Sequence, residues 1–272
     1  MRASNLLAPS WPSSPPPTKT TTAVPSPLQC ATALAALSVF VQLAPAAEPT
    51  ASPAPNGFRE LFNGQSLDGW EGAPGWWEVR DGVLTAESTP EHPCERSHYL
   101  YWTGGEPANF ELRMVYRLTG AANSGVQFRS RRRPDFDTWG YQADADSANE
   151  YTGCLYQHER GLVALRGQRV TIDADGAKSI ETFADAEELL AAVHDNDWNE
   201  YRVVADGPHI TLWINGRKMC EATDHQPRFA LPSGVIALQM HQGPPMKAEF
   251  KSIRLREFTR NDQTNPTTKS GE

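Results

Sequence analysis

The strongest constraint on the fold is a two-residue period in the apolar side chains downstream of Phe58. In residues 110–118 every second residue is apolar, whereas Glu111, Arg113 and Arg117 lie between them. Successive side chains of a β-strand point to opposite faces, so the pattern predicts a strand that buries one face. The apolar positions of this strand are Phe110, Leu112, Met114, Tyr116 and Leu118.

Two turn sequences divide residues 201–223 into three further strands. Asp206-Gly207 and Asn215-Gly216 supply residues that tolerate a positive φ, as two-residue hairpin turns require. We therefore predict a three-stranded meander in this segment.

The last strand shifts its alternation by one residue. Ala248 and Phe250 share one face, and Ile253 and Leu255 continue one step out of phase. An extra residue in one strand of a pair produces such a shift, so we predict a β-bulge near Lys251-Ser252.

One short helix is expected among the strands. Asp185 can cap it, and Ala186, Leu189, Leu190 and Val193 follow with helical spacing. Ten or more short strands with one helix predict an all-β domain, a two-sheet antiparallel β-sandwich with one short connecting helix.

The chain divides into four segments by composition. We interpret residues 1–47 as a leader with a signal peptide, 48–56 as a linker, 57–258 as the folded domain and 259–272 as a polar C-terminal tail. An apolar run at residues 28–44 ends in small residues, which predicts cleavage near Ala46-Ala47. An N-terminal core helix is the alternative. The protein is thus expected to be secreted or periplasmic. The chain contains no run of 18 apolar residues, so a transmembrane segment is not expected.

Charge and cysteine content exclude other classes. The formal net charge of −8, from 25 basic and 33 acidic residues, argues against a nucleic-acid partner, which needs a basic surface. Three cysteines follow the leader, and they allow at most one disulfide, whose pairing stays open. The sequence contains no CxxC motif, so a zinc ribbon is not expected. Partner proteins are not indicated. These cysteines are Cys94, Cys154 and Cys220.

Several predicted strands place long hydrogen-bonding side chains opposite their apolar face. Such a surface suits a polyhydroxylated ligand, whose hydroxyl groups need paired donors and acceptors. A solvated sheet face is the alternative. Assuming that these strands are neighbours, we predict that Gln127, Arg129, Gln142, Asp144, Tyr156, Gln239 and His241 line one concave surface.

Eight motifs in register resemble the 3-keto-disaccharide hydrolase family over about residues 57–258. They are Phe62-Asn-Gly-Gln-Ser-Leu-Asp-Gly-Trp70, Trp77-Glu-Val-Arg-Asp-Gly-Val-Leu84, Asn123-Ser-Gly-Val-Gln-Phe-Arg129, Gly140-Tyr-Gln-Ala-Asp144, Gly153-Cys-Leu-Tyr156, Trp198-Asn-Glu-Tyr201, Ile214-Asn-Gly216 and Leu238-Gln-Met-His-Gln-Gly-Pro-Pro-Met246. The resemblance implies a concanavalin-A-like jelly roll. It also implies the cleavage of glycosides oxidised to a ketone at C3, by elimination and hydration with net hydrolysis. Many relatives have Glu where this chain has Gln142.

This chemistry needs a base for the C2 proton, an enolate stabiliser and an acid for the leaving group. His241 is the first candidate for the base, because imidazole titrates near neutral pH, and Asp144 is the second, as base or as orienter of a histidine. Arg129 is the candidate enolate stabiliser. His158 and Glu159 are the candidate acids.

The remaining polar positions are interpreted as substrate contacts. They are Gln127, Gln142, Tyr156 and Gln239. A divalent cation is a further option, although no short spacing of ligands enforces it. Its candidate ligands are Asp144, Asp146, His158 and His241.

Three functions compete at this point. The first is an enzyme acting on an oligosaccharide or other glycoside, the second a non-catalytic lectin-like module, and the third an accessory domain that packs on a partner. An ordinary glucanase is disfavoured, because its chemistry needs two well-placed carboxylates and no such acidic run lies on a predicted strand.

Overall fold

A computed structural model describes residues 57–258 of the protein. The predicted leader and linker, and the C-terminal tail at 259–272, lie outside the described residues, so the signal peptide stays a prediction. No helix within residues 57–258 is long and apolar enough to cross a membrane.

The described residues form seventeen strands and one α-helix, α1 (Ala186–Leu190). In chain order the strands are β1 (Arg59–Glu60), β2 (Trp70–Glu71), β3 (Trp77–Arg80), β4 (Val83–Glu87), β5 (His98–Trp102), β6 (Phe110–Gly120), β7 (Asn123–Arg133), β8 (Asp137–Asp146), β9 (Leu155–Gln157), β10 (Gly161–Ala164), β11 (Gln168–Ile172), β12 (Lys178–Thr182), β13 (Asn199–Asp206), β14 (His209–Ile214), β15 (Arg217–Asp224), β16 (Val235–Met240) and β17 (Met246–Glu257).

The strands are arranged in two sheets. Sheet I has ten strands in the order β12-β11-β15-β14-β13-β6-β17-β4-β3, with β1 paired to β17. Sheet II has seven strands in the order β10-β9-β8-β7-β16-β5-β2. The pairs are antiparallel except β11 with β15, which run parallel. The predicted all-β sandwich with one short helix is confirmed.

The core lies between the two sheets and is built by the predicted alternation. All five apolar residues predicted for 110–118 belong to one buried cluster with residues of both sheets. Phe110 of β6 meets Phe128 of β7 edge-on, with ring centroids 6.1 Å apart, and this contact joins the sheets. Truncating either ring to Ala would cost about 3–5 kcal/mol, because the cavity could not be refilled.

The predicted meander is present as β13, β14 and β15, joined in antiparallel register. Asn215 and Gly216 have φ of 49° and 77°, which is the left-handed conformation that a tight hairpin turn requires. The turn chemistry at this position therefore determines the register of two sheet I strands.

Strand β17 contains the predicted bulge. Its register against β6 shifts between Lys251 and Arg254, and Ser252 has φ of 50°. The extra residue lets Phe250 and Ile253 both reach the core although they lie three positions apart.

The short helix is capped as the sequence predicts. The Asp185 side chain accepts hydrogen bonds from the backbone N–H groups of Glu187 and Glu188, and Leu189 is buried. The helix ends at Leu190, so its isolated length is too short to be stable without that contact.

The three cysteines of the described domain are buried and free. Burial raises the pKa of the Cys154 thiol, since a thiolate would lose its hydration there. The single disulfide left open by the sequence is therefore not formed among Cys94, Cys154 and Cys220.

Candidate functional site

A cavity of about 840 Å³ lies on the face of sheet II that is turned away from the core. Its volume is at the upper end of the range for small-molecule sites, which leaves room for more than one sugar ring. The floor is polar and comes from β5, β8, β9 and β16, and loops form the rim. The lining residues are Arg96, Ser97, Tyr99, Asn123, Pro134, Asp135, Asp137, Gln142, Asp144, Tyr151, Tyr156, His158, Gly161, Leu162, Gln239, His241 and Gln242.

Strand alternation explains why these side chains face the cavity. On β8, Tyr141, Ala143 and Ala145 point into the core between the sheets, so Gln142 and Asp144 point the other way. The register then brings neighbours together, because Gln142 pairs with Tyr156 of β9, and Gln239 of β16 pairs with Tyr99 of β5.

Gln142 occupies the centre of a hydrogen-bond network on this floor. Its Nε2 donates one hydrogen bond to Oδ1 of Asp144 and a second, of 3.0 Å, to Oε1 of Gln239. Its Oε1 accepts from Nε2 of Gln127. Both amide hydrogens and the carbonyl oxygen are thus committed, and the orientation of the amide is determined by its partners.

The network continues from Gln239 to the opposite wall. Nε2 of Gln239 donates to the hydroxyl oxygen of Tyr99 at 2.9 Å, and this hydroxyl lies 3.4 Å from Nε2 of His158. The other ring nitrogen of His158 lies 3.2 Å from the carbonyl oxygen of Gly140. Burial lowers the pKa of His158, which favours the neutral ring, and Nε2 of that ring can then serve as an acceptor for the Tyr99 hydroxyl.

Asp144 has the most perturbed carboxyl group on the cavity floor. Burial raises its pKa to about 7, opposed by the hydrogen bond from Gln142 and assisted by the charge of Asp146. Its side chain is only 7% exposed. A carboxyl group that titrates near neutral pH inside a cleft is typical of a general base or acid.

His241 lies one residue beyond the end of β16, on the rim of the same cavity. It is partly exposed, and its Nδ1 lies 2.5 Å from the backbone carbonyl of Gln242. A carbonyl accepts only, so Nδ1 carries a hydrogen and Nε2 is the atom available to exchange protons. His241 and Asp144 therefore line one cavity on one sheet.

Arg129 does not lie in the cavity, and its predicted place there is wrong. A bulge in β7 sets Arg129 and Ser130 opposite Gly140 alone, and Arg129 has φ of 44°. The guanidinium turns away and donates to the backbone carbonyls of Ala108 and Gly207. Ser130 takes the position that faces away from the core. The alternation of side chains along β7 therefore no longer predicts their direction beyond Phe128.

Gly140 permits this bulge. It has φ of 156°, and a Cβ there would lie 2.6 Å from the Cα of Ser130. No side chain fits that space, so glycine is required where the two strands approach.

Two other predicted residues are also displaced from the ligand surface. Gln127 is fully buried behind Gln142, where it accepts from the Ser130 hydroxyl at 2.9 Å, so it supports the floor instead of lining it. Glu159 is exposed and pairs with Arg228 at 3.2 Å, outside the cavity, which corrects its assignment as a leaving-group acid.

The four candidate metal ligands are not brought into one cluster. Asp146 turns towards its own loop and accepts from the backbone N–H groups of Glu150, Tyr151 and Thr152. Within residues 57–258, no group of three or more His, Cys, Asp or Glu side chains is placed to hold a metal ion. The predicted set of Asp144, Asp146, His158 and His241 is corrected accordingly.

Sequence reasoning missed Tyr99, whose hydroxyl lies on the cavity floor. Strand β5 is buried on both faces, so its residues show no polar alternation that would single out one of them. The available indication was positional: Tyr99 and Tyr101 share the face opposite Leu100, which packs in the core.

Three solved structures are similar to this chain in fold. A protein of Parabacteroides distasonis ATCC 8503, provisionally described as a glycosyl hydrolase, is 17% identical with a TM-score of 0.50 and covers 75% of this chain and 94% of its own. A second protein of that organism with the same description is 20% identical, with a TM-score of 0.49, covering 75% and 100%. The carbohydrate-binding module CBM66 of Bacillus subtilis is 16% identical, with a TM-score of 0.44, covering 68% and 94%.

No curated protein matches the chain in sequence. The model of one domain family, described as the 3-keto-alpha-glucoside-1,2-lyase-like domain, matches residues 57–256, which is nearly the whole of the described sandwich. This chain belongs to the 3-keto-alpha-glucoside-1,2-lyase-like domain family.

Proposed function

We propose that this protein is an enzyme that cleaves 3-keto-glycosides by elimination followed by hydration, with net hydrolysis of the glycosidic bond. The observation that carries the proposal is Asp144, a buried carboxyl group with a pKa raised to about 7 on the floor of a large polar cavity. Such a group is ionised in part at neutral pH and gains basicity from its low-dielectric surroundings. Family membership supports the choice of a substrate with a ketone at C3.

The first step is removal of the C2 proton by Asp144. The C3 ketone acidifies this proton, because the electron pair of the C–H bond moves into an enolate on the C3 oxygen. Oδ1 of Asp144 accepts the Gln142 hydrogen bond, so Oδ2 is the oxygen that takes the proton. The enolate then collapses to a ketone conjugated with a C1–C2 double bond, and the C1–O bond to the leaving group breaks.

His241 serves the leaving group and then the water. It lies on the rim, where a leaving group departs and solvent enters, and its Nε2 is available for proton exchange. As imidazolium it protonates the departing oxygen. As the resulting neutral base it takes a proton from water, whose oxygen bonds to C1 while the proton on Asp144 returns to C2. The net reaction is hydrolysis, and both groups regain their starting state.

These assignments exchange the first and second choices made from the sequence. His241 was the first candidate for the C2 base, but its partly exposed position at the strand end suits the leaving group better. Asp144 lies deeper and is held by an amide, which suits abstraction of a carbon-bound proton that demands a positioned base.

The polar floor provides the contacts for sugar hydroxyl groups. Gln239, Tyr156 and Asn123 line the cavity and carry donors or acceptors that can pair with a polyhydroxylated ligand. The same features suit the competing function, a carbohydrate-binding module without catalysis. The raised pKa of Asp144 favours the enzyme, since a binding surface gains nothing from a carboxyl group poised to titrate.

The test is to incubate the pure protein with a glucoside and with the same glucoside oxidised to a ketone at C3. The proposal expects cleavage of the ketone and none of the parent, because only the ketone makes the C2 proton removable. Equal cleavage of both would indicate ordinary glycosidase chemistry. Binding of both without turnover would establish the lectin-like function instead.

We further propose that the protein acts outside the cytoplasm after cleavage of its leader near Ala46-Ala47. Intact-mass analysis of the exported protein should give a chain that begins within one residue of that site. Retention of Met1 in the exported chain would contradict the processing.

A further inference from the structure

The proposed reaction leaves one requirement without a residue. Negative charge develops on the C3 oxygen when the C2 proton leaves, and pre-oriented hydrogen-bond donors are the usual means of stabilising it. Arg129 was the candidate for this part, and its guanidinium is bound to the carbonyls of Ala108 and Gly207 instead.

Tyr99 presents a hydroxyl group on the cavity floor with the properties of such a donor. The hydroxyl oxygen accepts a 2.9 Å hydrogen bond from Gln239, and this polarises the O–H bond. Its own hydrogen faces Nε2 of His158 at 3.4 Å, well beyond the usual length of a hydroxyl hydrogen bond. His158 therefore holds this hydrogen weakly, and the hydrogen can turn from His158 to a stronger acceptor.

We propose that Tyr99 is a catalytic residue that donates the hydrogen bond stabilising the enolate oxygen at C3. This inference rests on the proposed function and adds to it the group that receives the developing charge. The hydrogen bond shortens as the oxygen gains charge, so the interaction is stronger in the transition state than with the ketone.

One rigid amide frame relates Tyr99 to the base. Gln142 donates to both Asp144 and Gln239, and Gln239 donates to Tyr99. These side chains are nearly buried, and each is held by bonds whose direction cannot be reversed without breaking the next one. The base and the donor are therefore pre-oriented relative to each other before substrate binds.

Burial raises the pKa of Tyr99, which keeps the phenol protonated across the working range of pH. Tyr99 consequently acts as a donor and does not compete with Asp144 for the C2 proton. The proton stays on Tyr99 throughout, the electron pair of the C2–H bond reaches the C3 oxygen, and the C2 proton resides on Oδ2 of Asp144.

The test isolates enolisation from elimination. 1,5-Anhydroglucitol oxidised to a ketone at C3 has no exocyclic leaving group at C1, so glycosidic elimination is impossible and exchange of the C2 proton can be followed by itself. Exchange in D₂O is followed by NMR at C2 for the wild type, for Tyr99→Phe and for Tyr101→Phe. Tyr101 is the matched control: it lies on the same face of β5, it is equally buried, and its hydroxyl donates to the backbone carbonyl of Asp137. Tyr101 itself does not line the cavity.

We expect Tyr99→Phe to lower the C2 exchange rate by about 10²–10³-fold, the usual effect of losing one oxyanion donor. Tyr101→Phe should leave the rate unchanged. The cleavage of a 3-keto-glucoside should fall in parallel through kcat, with KM little altered, because the contact matters mainly in the transition state.

Two results would overturn the assignment in distinguishable ways. In the first, the wild type exchanges the C2 proton, and the exchange rate is either unchanged in Tyr99→Phe or lowered equally in Tyr101→Phe. This result removes the role of Tyr99 and leaves the proposed function intact. If the wild type shows neither exchange nor cleavage, the role of Tyr99 and the proposed function are both refuted. If Tyr99→Phe unfolds, 3-fluorotyrosine at position 99 replaces it: a more acidic donor should raise the exchange rate, and an unchanged rate contradicts the inference.

Discussion

Nε2 of Gln142 donates a hydrogen bond to Oδ1 of Asp144, two residues further along the same face of β8. An amide nitrogen cannot accept, so the bonded oxygen stays unprotonated and proton exchange is confined to Oδ2. The amide also favours the carboxylate, which opposes the effect of burial on the pKa. This contact joins the geometry of the proposed base to its ionisation.

The pH dependence of the reaction should report on Asp144. Its pKa is raised to about 7, and the base is active only when ionised, so kcat/KM should fall as the pH drops below about 7. Initial rates on a 3-keto-glucoside between pH 4 and 9 check this. A profile that stays flat down to pH 5 would show that another group is the base.

Asp144→Asn should lower activity and raise stability at alkaline pH. The carboxyl pKa rises from 3.8 to about 7 on folding, so the folded state binds this proton more tightly, and stability falls as the pH rises between these values. Three pKa units correspond to at most about 4 kcal/mol. Asn keeps the oxygen that accepts from Gln142, so urea unfolding should show a gain at pH 8 and little change at pH 4.

The same variant should lose about 10²–10⁴-fold in kcat, the usual contribution of a general base. Gain of stability with loss of activity is the combined result that the assignment requires. Loss of both stability and activity at pH 8 would instead indicate that Asp144 has a structural role.

Gln142→Glu should move the pH profile upwards. The substitution replaces a donor by a second carboxyl group next to Asp144, and two such groups share one proton before both ionise. We expect the acid limb of kcat/KM to rise by about one pH unit or more. Gln168→Glu is the matched control, because it makes the same change at the start of β11, outside the cavity.

His241→Ala should lower kcat in a manner that depends on the leaving group. For a sugar or alkyl leaving group the loss should reach about 10²–10⁴-fold, because the departing oxygen needs a proton. A nitrophenolate departs without one, so the loss should be small for that substrate. His209→Ala, at the start of β14 in sheet I, is the control. Equal losses for both leaving groups would assign His241 to another step.

Arg129→Ala should destabilise the fold without acting on catalysis. Arg129 is 2% exposed, and it satisfies the backbone carbonyls of Ala108 and Gly207, which would be left without these donors. A loss of about 2–4 kcal/mol in the free energy of unfolding is expected, with kcat per folded molecule retained. Arg131→Ala, an exposed residue two positions on, should cost under about 1 kcal/mol.

Local patterns were sufficient for the strands because they act over a few residues. The alternation at 110–118, the Asn215-Gly216 turn and the bulge at Ser252 depend on side-chain parity and on φ, which a single segment carries in itself. The capped helix after Asp185 belongs to the same class. Each of these was predicted and is present.

The candidate site was predicted only where side chains alternate regularly along their strands. Gln142, Asp144, Tyr156, Gln239 and His241 line the cavity, because their strands alternate without interruption up to those positions. The alternation is interrupted in β7, where the bulge depends on the close approach of Gly140 from the next strand. Nothing within the β7 segment itself indicates that approach.

The sequence by itself determined the two-sheet architecture, the family and the polar character of one sheet face, since all three follow from short-range patterns and motif order. Tertiary structure alone decided which of those polar groups meet. The order β8-β7-β16-β5 brings Asp144 and Tyr99 to one floor across some 45 residues of sequence, and burial by that assembly raises the Asp144 pKa. Hydrogen-bond partners and desolvation are properties of neighbours in space, so no pattern along the chain contains them.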